Sequence, residues 1–328
     1  MSHHSFAPTF HHSSVRLYSA IAQKPKEFGP SLPGIDFERN RAQACPCSVS
    51  LTLLNRNDAI KPGQANREHS PFVTVNGRRS IRHLLEPLAA LEGIEAEMLQ
   101  FESDGEQHGI PRFVFRGPNS SDPIRLGIFA AIHGDEPAGA LALVEFLRDL
   151  QAQPALAENY NIWAYPVCNP TGFEDNTRAS RQGRDLNRQF WKSSKEAEVQ
   201  LLEHELCTRH LHGIIQLHAD DTSDGIYGFV RGATLTDELL RPALEAAAKV
   251  LPLNRSPLID GFAAQDGIIY DQYEGVLAAP TEVTPIPFEI VFETPQLAPL
   301  ELQAKAFDIF LHTVLAEYRR LISFAQNI

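Results

Sequence analysis

The residues His133-Gly134-Asp135-Glu136 place an imidazole and a carboxylate three positions apart. Imidazole nitrogen and carboxylate oxygen are ligands that zinc accepts in proteins. The apolar residues 124–132 predict a buried strand, and residues 135–150 predict a helix with acidic residues and Pro137 in its first turn. His133 and Glu136 are therefore expected at the carboxyl edge of a strand, where open α/β sheets bind their ligands.

Catalytic zinc sites usually take three protein ligands and leave a fourth position for water. The segment Gly213–Asp220 offers a third ligand, because its apolar run ends on His218 and is followed by polar residues 221–225. A His/Glu pair at this spacing also arises by chance. In the alternative interpretation, Asp135 and Glu136 cap a helix and His218 is a hydrogen-bonded histidine at the end of a strand.

The segment between the two histidines contains residues that can bind an anion. Residues 160–168 predict another strand, and the sequences Asn176-Thr177-Arg178 and Asp185-Leu186-Asn187-Arg188 follow it. Arginine suits carboxylate binding because its planar guanidinium makes two parallel charge-assisted hydrogen bonds. An adjacent Asn and Arg on one loop can therefore bind and orient a substrate carboxylate. Arg181 and Arg184 are interpreted as solvated loop residues.

Six motifs occur in a fixed order: HGDE at 133–136, NPTGFE at 169–174, NTR at 176–178, DLNR at 185–188, LHAD at 217–220 and FETP at 292–295. With this ordered set, residues 95–325 resemble the zinc carboxypeptidase superfamily (peptidase family M14). They resemble in particular its succinylglutamate desuccinylase/aspartoacylase branch. The short interval from Glu136 to His218 is closer to that branch than to the digestive carboxypeptidases.

The resemblance implies that one zinc ion is bound by His133, Glu136 and His218. It also implies that the substrate, with a carboxylate next to the scissile amide, is recognised by Arg178, Asn187 and Arg188.

The family also needs a glutamate general base near the C-terminal end of its catalytic domain. Residues 287–293 (PFEIVFE) offer Glu289 and Glu293, which point to the same face of a strand because they are four positions apart. Glu293 ends the apolar run and matches the family's glutamate, so we assign the base to Glu293 and a structural or surface role to Glu289. In the implied reaction Glu293 accepts a proton from zinc-activated water, and Arg178 or Arg188 stabilises the oxyanion.

One departure from the family concerns a mobile tyrosine upstream of the catalytic glutamate. Here the nearest counterpart is Phe262, and Tyr270 and Tyr273 are slightly displaced from the expected position. We interpret both tyrosines as half-buried packing residues. No tyrosine is carried over, which weakens the case for ordinary peptide cleavage.

Composition narrows the class of protein and its partners. The chain has 328 residues, 43% of them hydrophobic, and a net charge of −12, although residues 1–80 carry 10 Lys/Arg against 5 Asp/Glu. An acidic catalytic region argues against nucleic acid as a partner, whereas an arginine-lined pocket can still bind a small anionic substrate. No stretch approaches ~18 apolar residues, so neither a transmembrane helix nor a membrane partner is expected. The oligomeric state stays open.

The N-terminal part differs from the rest of the chain. Residues 1–78 are rich in Ser, Pro, Asn and His and predict a disordered or loosely attached extension, and residues 79–328 form the predicted zinc-dependent hydrolase domain. The pairs His3-His4 and His11-His12 are interpreted as incidental, and Cys45-Pro46-Cys47 lacks the partners of a metal site. The N-terminus has no signal-peptide pattern and the four cysteines form no disulfide framework, so a cytoplasmic location is expected.

Periodicity predicts the elements that position the motifs. Strands and helices alternate, which predicts an α/β fold with a mixed, largely parallel sheet sandwiched between helices. The predicted elements besides those above are a short helix at 80–91 interrupted by Pro87, a hairpin of residues 94–101 and 112–116, and helices at 194–210, 236–250 and 299–325.

Three functions remain open on the sequence alone. The first is a zinc-dependent hydrolase of an amide bond, either an N-acyl amino acid deacylase or a carboxypeptidase. The second is a zinc esterase or a peptidoglycan-type amidase on the same scaffold. The third is a binding protein that has lost catalysis, which would have no need of a base at Glu293.

Overall fold

The computed structural model describes residues 51–53, 72–103, 105–119, 121–280 and 282–325. Most of the predicted N-terminal extension lies outside the described residues, as do its two histidine pairs and Cys45-Pro46-Cys47. The predicted boundary between residues 78 and 79 stays a prediction. Among the described residues, no helix combines the length and apolar character needed to cross a membrane.

Thirteen strands are present in the described part of the chain. They are β1 (Leu51–Leu53), β2 (Thr74–Val75), β3 (Arg78–Arg79), β4 (Ile94–Ser103), β5 (Glu106–Arg116), β6 (Ile124–Ala130), β7 (Tyr160–Tyr165), β8 (Gly213–Asp220), β9 (Tyr227–Val230), β10 (Leu258–Ile259), β11 (Phe262–Gln265), β12 (Ile268–Ile269) and β13 (Phe288–Pro295).

Eleven of these strands form one sheet in the order β1-β4-β5-β7-β6-β8-β13-β9-β12-β11-β10, and β2 pairs with β3. The four central strands β7, β6, β8 and β13 are parallel to one another, and antiparallel pairs extend the sheet on both sides. Parallel central strands bring their carboxyl ends to a single edge, where the HGDE, LHAD and FETP motifs are found.

The helices lie on both faces of the sheet. They are α1 (Ile81–Leu85), α2 (Ala138–Ala152), α3 (Pro170–Asp175), α4 (Ala197–Thr208), α5 (Ala233–Leu235), α6 (Arg241–Ala247) and α7 (Leu300–Ala325). Helices α2, α6 and α7 contribute to the larger hydrophobic core, and α4 to the core on the opposite face. The predicted α/β fold with a sheet between helices is confirmed.

Side-chain alternation determines which residues reach the site. On β8, Ile215 and Leu217 belong to the larger core, whereas Ile214 belongs to the core beside α4. His218 therefore points to the α4 side, because successive strand residues point to opposite faces. On β13, Phe292 is packed in the larger core, which leaves Glu293 on the same side of the sheet as His218.

Several elements differ from the sequence-based expectation. Strand β6 ends at Ala130 rather than residue 132, and α2 begins at Ala138 rather than residue 135, because residues 131–137 form a tight turn before the helix. In the hairpin of β4 and β5, Ser103 at the end of β4 already pairs with Glu106 at the start of β5, so His108 lies within β5. The predicted helix 236–250 is a turn of π-helix followed by α6.

Strands β9 to β12 were not predicted from the sequence. Each has only two to four residues, which is too short for an alternating pattern to be recognised. They extend the sheet beyond β13 and form one wall of the site.

Candidate active site

Three side chains meet where the turn after β6 lies beside the end of β8. His133 and Glu136 belong to the turn, and His218 belongs to β8. The imidazole Nδ1 of His133 lies 2.6 Å from Oε1 of Glu136, and Nδ1 of His218 lies 3.0 Å from Oε2 of the same carboxylate. The backbone N–H of Ala219 also donates to that second oxygen, at 3.0 Å. All three side chains are buried, and one ligand atom from each lies within 4.8 Å of the others. We call His133, Glu136 and His218 the cavity cluster.

The backbone of this turn is constrained by close packing. Ala131 adopts a left-handed conformation, with a φ of 47°, although it carries a side chain. At Gly134, a Cβ atom would lie 1.9 Å from the backbone carbonyl carbon of Gly172. Gly134 of the HGDE motif is thus needed because its loop touches the NPTGFE loop backbone to backbone. A Cβ atom at Gly172 of the NPTGFE motif would instead lie 2.6 Å from the carbonyl oxygen of Ala179.

Arg79 holds the HGDE turn from outside. Its Nη1 donates to the carbonyl of Gly134 at 3.0 Å, and its guanidinium lies 5.0 Å from the ring centre of Phe72 and 5.6 Å from that of Phe173. The short hairpin of β2 and β3 therefore supports the turn that carries His133 and Glu136. No sequence pattern indicates this contact, since it joins residues that are 55 positions apart.

The cavity cluster shifts the pKa values of its own members. Burial lowers the pKa of His133, but the adjacent Glu136 carboxylate and Asp185 raise it to about 9. Burial raises the pKa of Glu136, but His133 and His218 hold it below its ordinary value. Burial lowers the pKa of His218. The Glu136 carboxylate is therefore the anionic centre of the cluster.

The donor set fits a zinc ion. Two imidazole nitrogens face one buried carboxylate, which is the His/Glu/His combination of many catalytic zinc sites. The other ring nitrogen of His133, Nε2, is buried without a hydrogen-bond partner and lies 3.3 Å from Oδ1 of Asp185. A zinc-ligating histidine usually donates its second N–H to a carboxylate, so Asp185 stands where such a partner is needed.

Arg178 is close to the cavity cluster and is already paired. Its Nη1 lies 3.4 Å from Oε1 of Glu136, and its Nε and Nη2 each lie 3.2 Å from Oδ2 of Asp185. About half of the side chain is exposed, at 48%. Arg178 can therefore present its remaining N–H groups to a molecule bound beside the cluster.

Asn187 and Arg188 lie on the next turn of the same loop. Nδ2 of Asn187 lies 3.5 Å from Nε2 of His218, and its Oδ1 accepts from the N–H of Leu277 at 2.8 Å. The guanidinium of Arg188 lies 4.4 Å from the ring centre of Tyr273, and its Nη1 donates to the carbonyl of Asn187 at 2.8 Å. Arg188 forms no ion pair with any residue that the structure describes.

Glu293 lies between two strands that also contribute to the site. In the sheet register it stands opposite His218 of β8 on one side and Tyr227 of β9 on the other. Burial raises the pKa of Glu293 well above its ordinary value, and the carboxylates of Glu136 and Asp220 raise it further. A carboxylate with a raised pKa is a better proton acceptor and donor near neutral pH.

Glu289, the other glutamate of this strand, is engaged elsewhere. Its Oε1 accepts a hydrogen bond from the backbone N–H of Ala279 at 2.7 Å, and it does not line the cavity. This contact fixes the loop that leads to β13, in keeping with the structural role assigned to Glu289.

A cavity of about 350 Å³ joins these groups. Its lining includes all seven residues that the sequence singled out, namely His133, Glu136, Arg178, Asn187, Arg188, His218 and Glu293. The structure thus brings the predicted residues to one place, and their roles stay predictions.

Further residues of the cavity were not assigned a role from the sequence. Asp220, Tyr227, Asp260 and Tyr273 all contribute to its wall, and the hydroxyl of Tyr227 donates to Oδ2 of Asp220 at 2.9 Å. Asp220 is the last residue of LHAD, which is a signal that could have found it. The other three lie in segments without a recognisable motif.

The tyrosines differ from their sequence-based interpretation. Tyr270 is 57% exposed and Tyr273 is 40% exposed, so neither is a half-buried packing residue in the core. Tyr273 instead lines the cavity, and its ring meets that of Phe262 edge to face with centres 4.9 Å apart.

A second His/carboxylate group lies between two helices. Nε2 of His312 is 3.3 Å from Oδ2 of Asp149 and 3.3 Å from Oδ1 of Asp308, and Nζ of Lys305 lies 2.7 Å from the other oxygen of Asp308. We call Asp149, Asp308 and His312 the helix cluster; its ligand atoms also lie within 4.8 Å of one another.

Comparison with known proteins gives a family match for part of the chain. Residues 123–254 match the model of the succinylglutamate desuccinylase/aspartoacylase catalytic domain. This span holds six of the seven singled-out residues and ends before Glu293. No curated protein sequence matches the chain.

Solved structures share the fold at low sequence identity. A protein of Shewanella amazonensis described as a candidate metallopeptidase is 21% identical, with a TM-score of 0.62 over 72% of this chain and 92% of its own. A similar protein of Shewanella denitrificans is 23% identical, with a TM-score of 0.61 over 76% and 98%. A metallo-carboxypeptidase of Pseudomonas aeruginosa, solved with (2-guanidinoethylmercapto)succinic acid, is 19% identical, with a TM-score of 0.54 over 73% and 68%.

Proposed function

We propose that this chain is a zinc-dependent amide hydrolase. Its residues 123–254 match the succinylglutamate desuccinylase/aspartoacylase catalytic domain, and its fold is carboxypeptidase-like. The family resemblance inferred from the motifs agrees with this match, and the predicted carboxypeptidase-like fold is shared with the solved structures. The observation that supports the finer proposal is the shared cavity: a His/Glu/His cluster, a glutamate with a raised pKa and two arginines line one space.

In the proposed mechanism, one zinc ion is held by His133, Glu136 and His218, with Asp185 as hydrogen-bond partner of His133. When bound, zinc supplies Lewis acidity, which lowers the pKa of a coordinated water and polarises a carbonyl oxygen. The remaining steps depend on residues of the chain.

Glu293 acts as the general base. Its carboxylate accepts the proton of the attacking water, and its partly buried position beside His218 keeps it at the edge of the cavity cluster. The same carboxyl group then donates that proton to the nitrogen of the leaving amine, so that the C–N bond breaks and a free amine and a carboxylate are released.

Arg188 binds the substrate carboxylate. It has no counter-ion among the described residues and is oriented by the ring of Tyr273 and the carbonyl of Asn187. A planar guanidinium held in this way can make two parallel hydrogen bonds to a carboxylate. Asn187 lies between Arg188 and His218 and orients the bound substrate.

Arg178 stabilises the tetrahedral oxyanion. It lies against Glu136, a proposed metal ligand, and its N–H groups reach the space where negative charge develops. Donors in this role contribute about 3–4 kcal/mol in other enzymes. Its pairing with Asp185 makes Arg178 a poorer choice than Arg188 for the substrate carboxylate.

The substrate is a small anionic amide, either an N-acyl amino acid or a peptide C-terminus. An esterase or a peptidoglycan-type amidase would use the same groups, and a binding protein without catalysis would keep the cavity but not need Glu293. The cytoplasmic location expected from the sequence stays a prediction.

The proposal is tested by assaying purified full-length protein against N-acyl amino acids, C-terminal dipeptides, carboxylate esters and a muramoyl amide. We expect hydrolysis of an amide that bears a free carboxylate, loss of this activity with a chelator and recovery on addition of Zn²⁺. Faster cleavage of the ester or the muramoyl amide would favour the second function. Zinc binding without hydrolysis of any of these compounds would contradict an enzymatic role.

A further inference from the structure

One aromatic ring in the cavity connects groups of opposite charge. The guanidinium of Arg188 lies over the ring of Tyr273, with 4.4 Å between the guanidinium carbon and the ring centre. The hydroxyl of the same tyrosine donates to the backbone carbonyl of Asp260 at 3.0 Å and to its Oδ1 at 3.1 Å. Tyr273 therefore fixes a cation and an anion beside each other in the wall of one cavity.

Two carboxylates in the wall of this cavity, Asp220 and Asp260, accept hydrogen bonds from uncharged groups. Asp260 accepts from the hydroxyl of Tyr273, and Asp220 accepts from the hydroxyl of Tyr227 at 2.9 Å and from Thr222 at 2.7 Å. In the described part of the chain, Asp220 and Asp260 form no ion pair. Burial and the charge of Asp220 raise the pKa of Asp260, and the hydrogen bond from Tyr273 and the charges of Arg188 and Arg178 offset this only in part.

This wall carries more negative charge than the proposed mechanism uses. Arg188 is sufficient for one substrate carboxylate, and the proposed zinc ion and Glu293 account for the chemistry at the amide. Asp220 and Asp260 add two negative charges beyond these. A second carboxylate on the substrate would be repelled here, because bringing like charges together as water is displaced is unfavourable. A positive group would be attracted to the same place.

We infer that the substrate carries a cationic group, an ammonium or a guanidinium, in addition to its carboxylate, and that Asp260 recognises this group while Arg188 binds the carboxylate. The inference rests on the proposed function and narrows its substrate class. A cationic group on the substrate differs from the all-acidic succinylglutamate that the description of the matching family model names. Asp260 is then a specificity-determining residue, held in place by Tyr273.

The test compares three amides that differ in one terminal group. Nα-acetyl-L-ornithine, Nα-acetyl-L-glutamine and Nα-acetyl-L-glutamate share the amide and the α-carboxylate and end in an ammonium, a neutral amide and a second carboxylate. If dipeptides are the better substrates in the assay above, the same three side chains are placed at the C-terminal residue. We expect kcat/KM of the full-length zinc-loaded protein to be at least about tenfold higher for the ammonium compound than for the dianionic one.

The variant Asp260→Asn sharpens this comparison. The amide oxygen can still accept from Tyr273, and asparagine tolerates the left-handed backbone at this position, where φ is 49°. We expect kcat/KM to fall about tenfold for the ornithine compound and by less than about twofold for the glutamine compound. As a matched control, Asp224→Asn removes one charge from an exposed position outside the cavity and should change none of the three values.

The possible outcomes distinguish a failure of the inference about the cationic substrate from a failure of the proposed function. Hydrolysis that is fastest for the dianionic compound, or an equal loss for all three compounds in Asp260→Asn, overturns the inference and leaves the amide hydrolase intact. Absence of hydrolysis for every N-acyl amino acid and dipeptide, with zinc bound, overturns the proposed function and the inference together.

Discussion

The cavity cluster and the helix cluster contain the same kinds of ligand at similar distances. Each combines histidine and carboxylate side chains with ligand atoms within 4.8 Å of one another. In the helix cluster, however, His312 contacts both carboxylates and Lys305 neutralises Asp308, so the group connects α2 and α7 through ion pairs. Its charges are balanced by the chain itself.

The cavity cluster is different in its surroundings. It is buried at the carboxyl edge of parallel strands and faces a cavity. Asp185 lies next to the ring of His133, and Glu293 stands opposite His218 in the sheet. Ligand atoms that lie within 4.8 Å of one another therefore do not by themselves define a catalytic site. A partner for the second histidine nitrogen, a proton acceptor and space for a substrate are also required.

The largest expected difference is between two variants that each remove one histidine, one from the cavity cluster and one from the helix cluster. In His218→Ala, zinc content should fall from about one per chain to near zero, and kcat/KM should fall at least about 10⁴-fold, because the metal and its activated water are both lost. In His312→Ala, zinc content and kcat/KM should stay within about twofold of wild type, since that group is outside the cavity. Metal analysis measures the zinc content of both variants, and the amide assay measures their kcat/KM. Loss of activity in His312→Ala would contradict the assignment of catalysis to the cavity cluster alone.

The next effect isolates proton transfer from metal binding. Glu293→Gln should keep the zinc and lower kcat by about 10²–10⁴-fold, because an amide cannot accept the proton of water. Glu289→Gln is the matched control, since it lies on the same face of β13 and its amide oxygen can still accept from Ala279. Steady-state kinetics on both variants checks the assignment, and a greater loss in Glu289→Gln would show that the wrong glutamate was chosen.

A smaller effect is expected from the substrate-binding arginine. Arg188→Lys should lower kcat/KM by about 10–100-fold, mainly through KM, because a lysine cannot make the paired hydrogen bonds to a carboxylate. Arg184→Lys changes an exposed residue of the same loop and should have no measurable effect. If both variants bind substrate as tightly as wild type, Arg188 does not contact the carboxylate.

The smallest effect concerns the stability contributed by the helix cluster. Burial lowers the pKa of His312, but Asp308 and Asp149 raise it above its ordinary value of 6.5. Its contribution to stability is therefore fully present below pH 6.5 and is lost as the pH rises through the raised pKa of the folded state. A His312→Gln variant should lose at most about 1 kcal/mol at pH 6 and less at pH 9. Denaturant unfolding of both proteins at the two pH values measures this, and a difference that grows with pH would contradict it.

Strong periodic patterns made the centre of the fold predictable. Strand β8 was predicted with its observed bounds, because Gly213–Asp220 begins with a mainly apolar run, interrupted only by Gln216, and is followed by a polar loop. The HGDE and LHAD motifs follow such runs, so parallel strands necessarily bring His133 and His218 to the same edge. Motif order then supplied Glu293, which alternation alone could not separate from Glu289.

The remaining part of the site depends on tertiary contacts that neither hydrophobic periodicity nor motifs predict. Asp185 is the first residue of the DLNR motif, but its contact with His133 depends on the orientation of the His133 ring, which the motif does not determine. Asp260 lies in the turn between β10 and β11, and Tyr273 lies in the loop after β12. The contact of Tyr273 with Arg188 joins residues that are distant in the sequence. Such contacts follow from the folded structure and leave no periodic signal in the sequence.

The most direct test of the account is anomalous X-ray diffraction at the zinc edge from crystals of the zinc-loaded protein. We expect one strong peak within bonding distance of Nδ1 of His133, Nδ1 of His218 and the carboxylate of Glu136. A peak between Asp149, Asp308 and His312 with none in the cavity, or no peak at either cluster, would contradict the assignment of the cavity cluster as the metal centre.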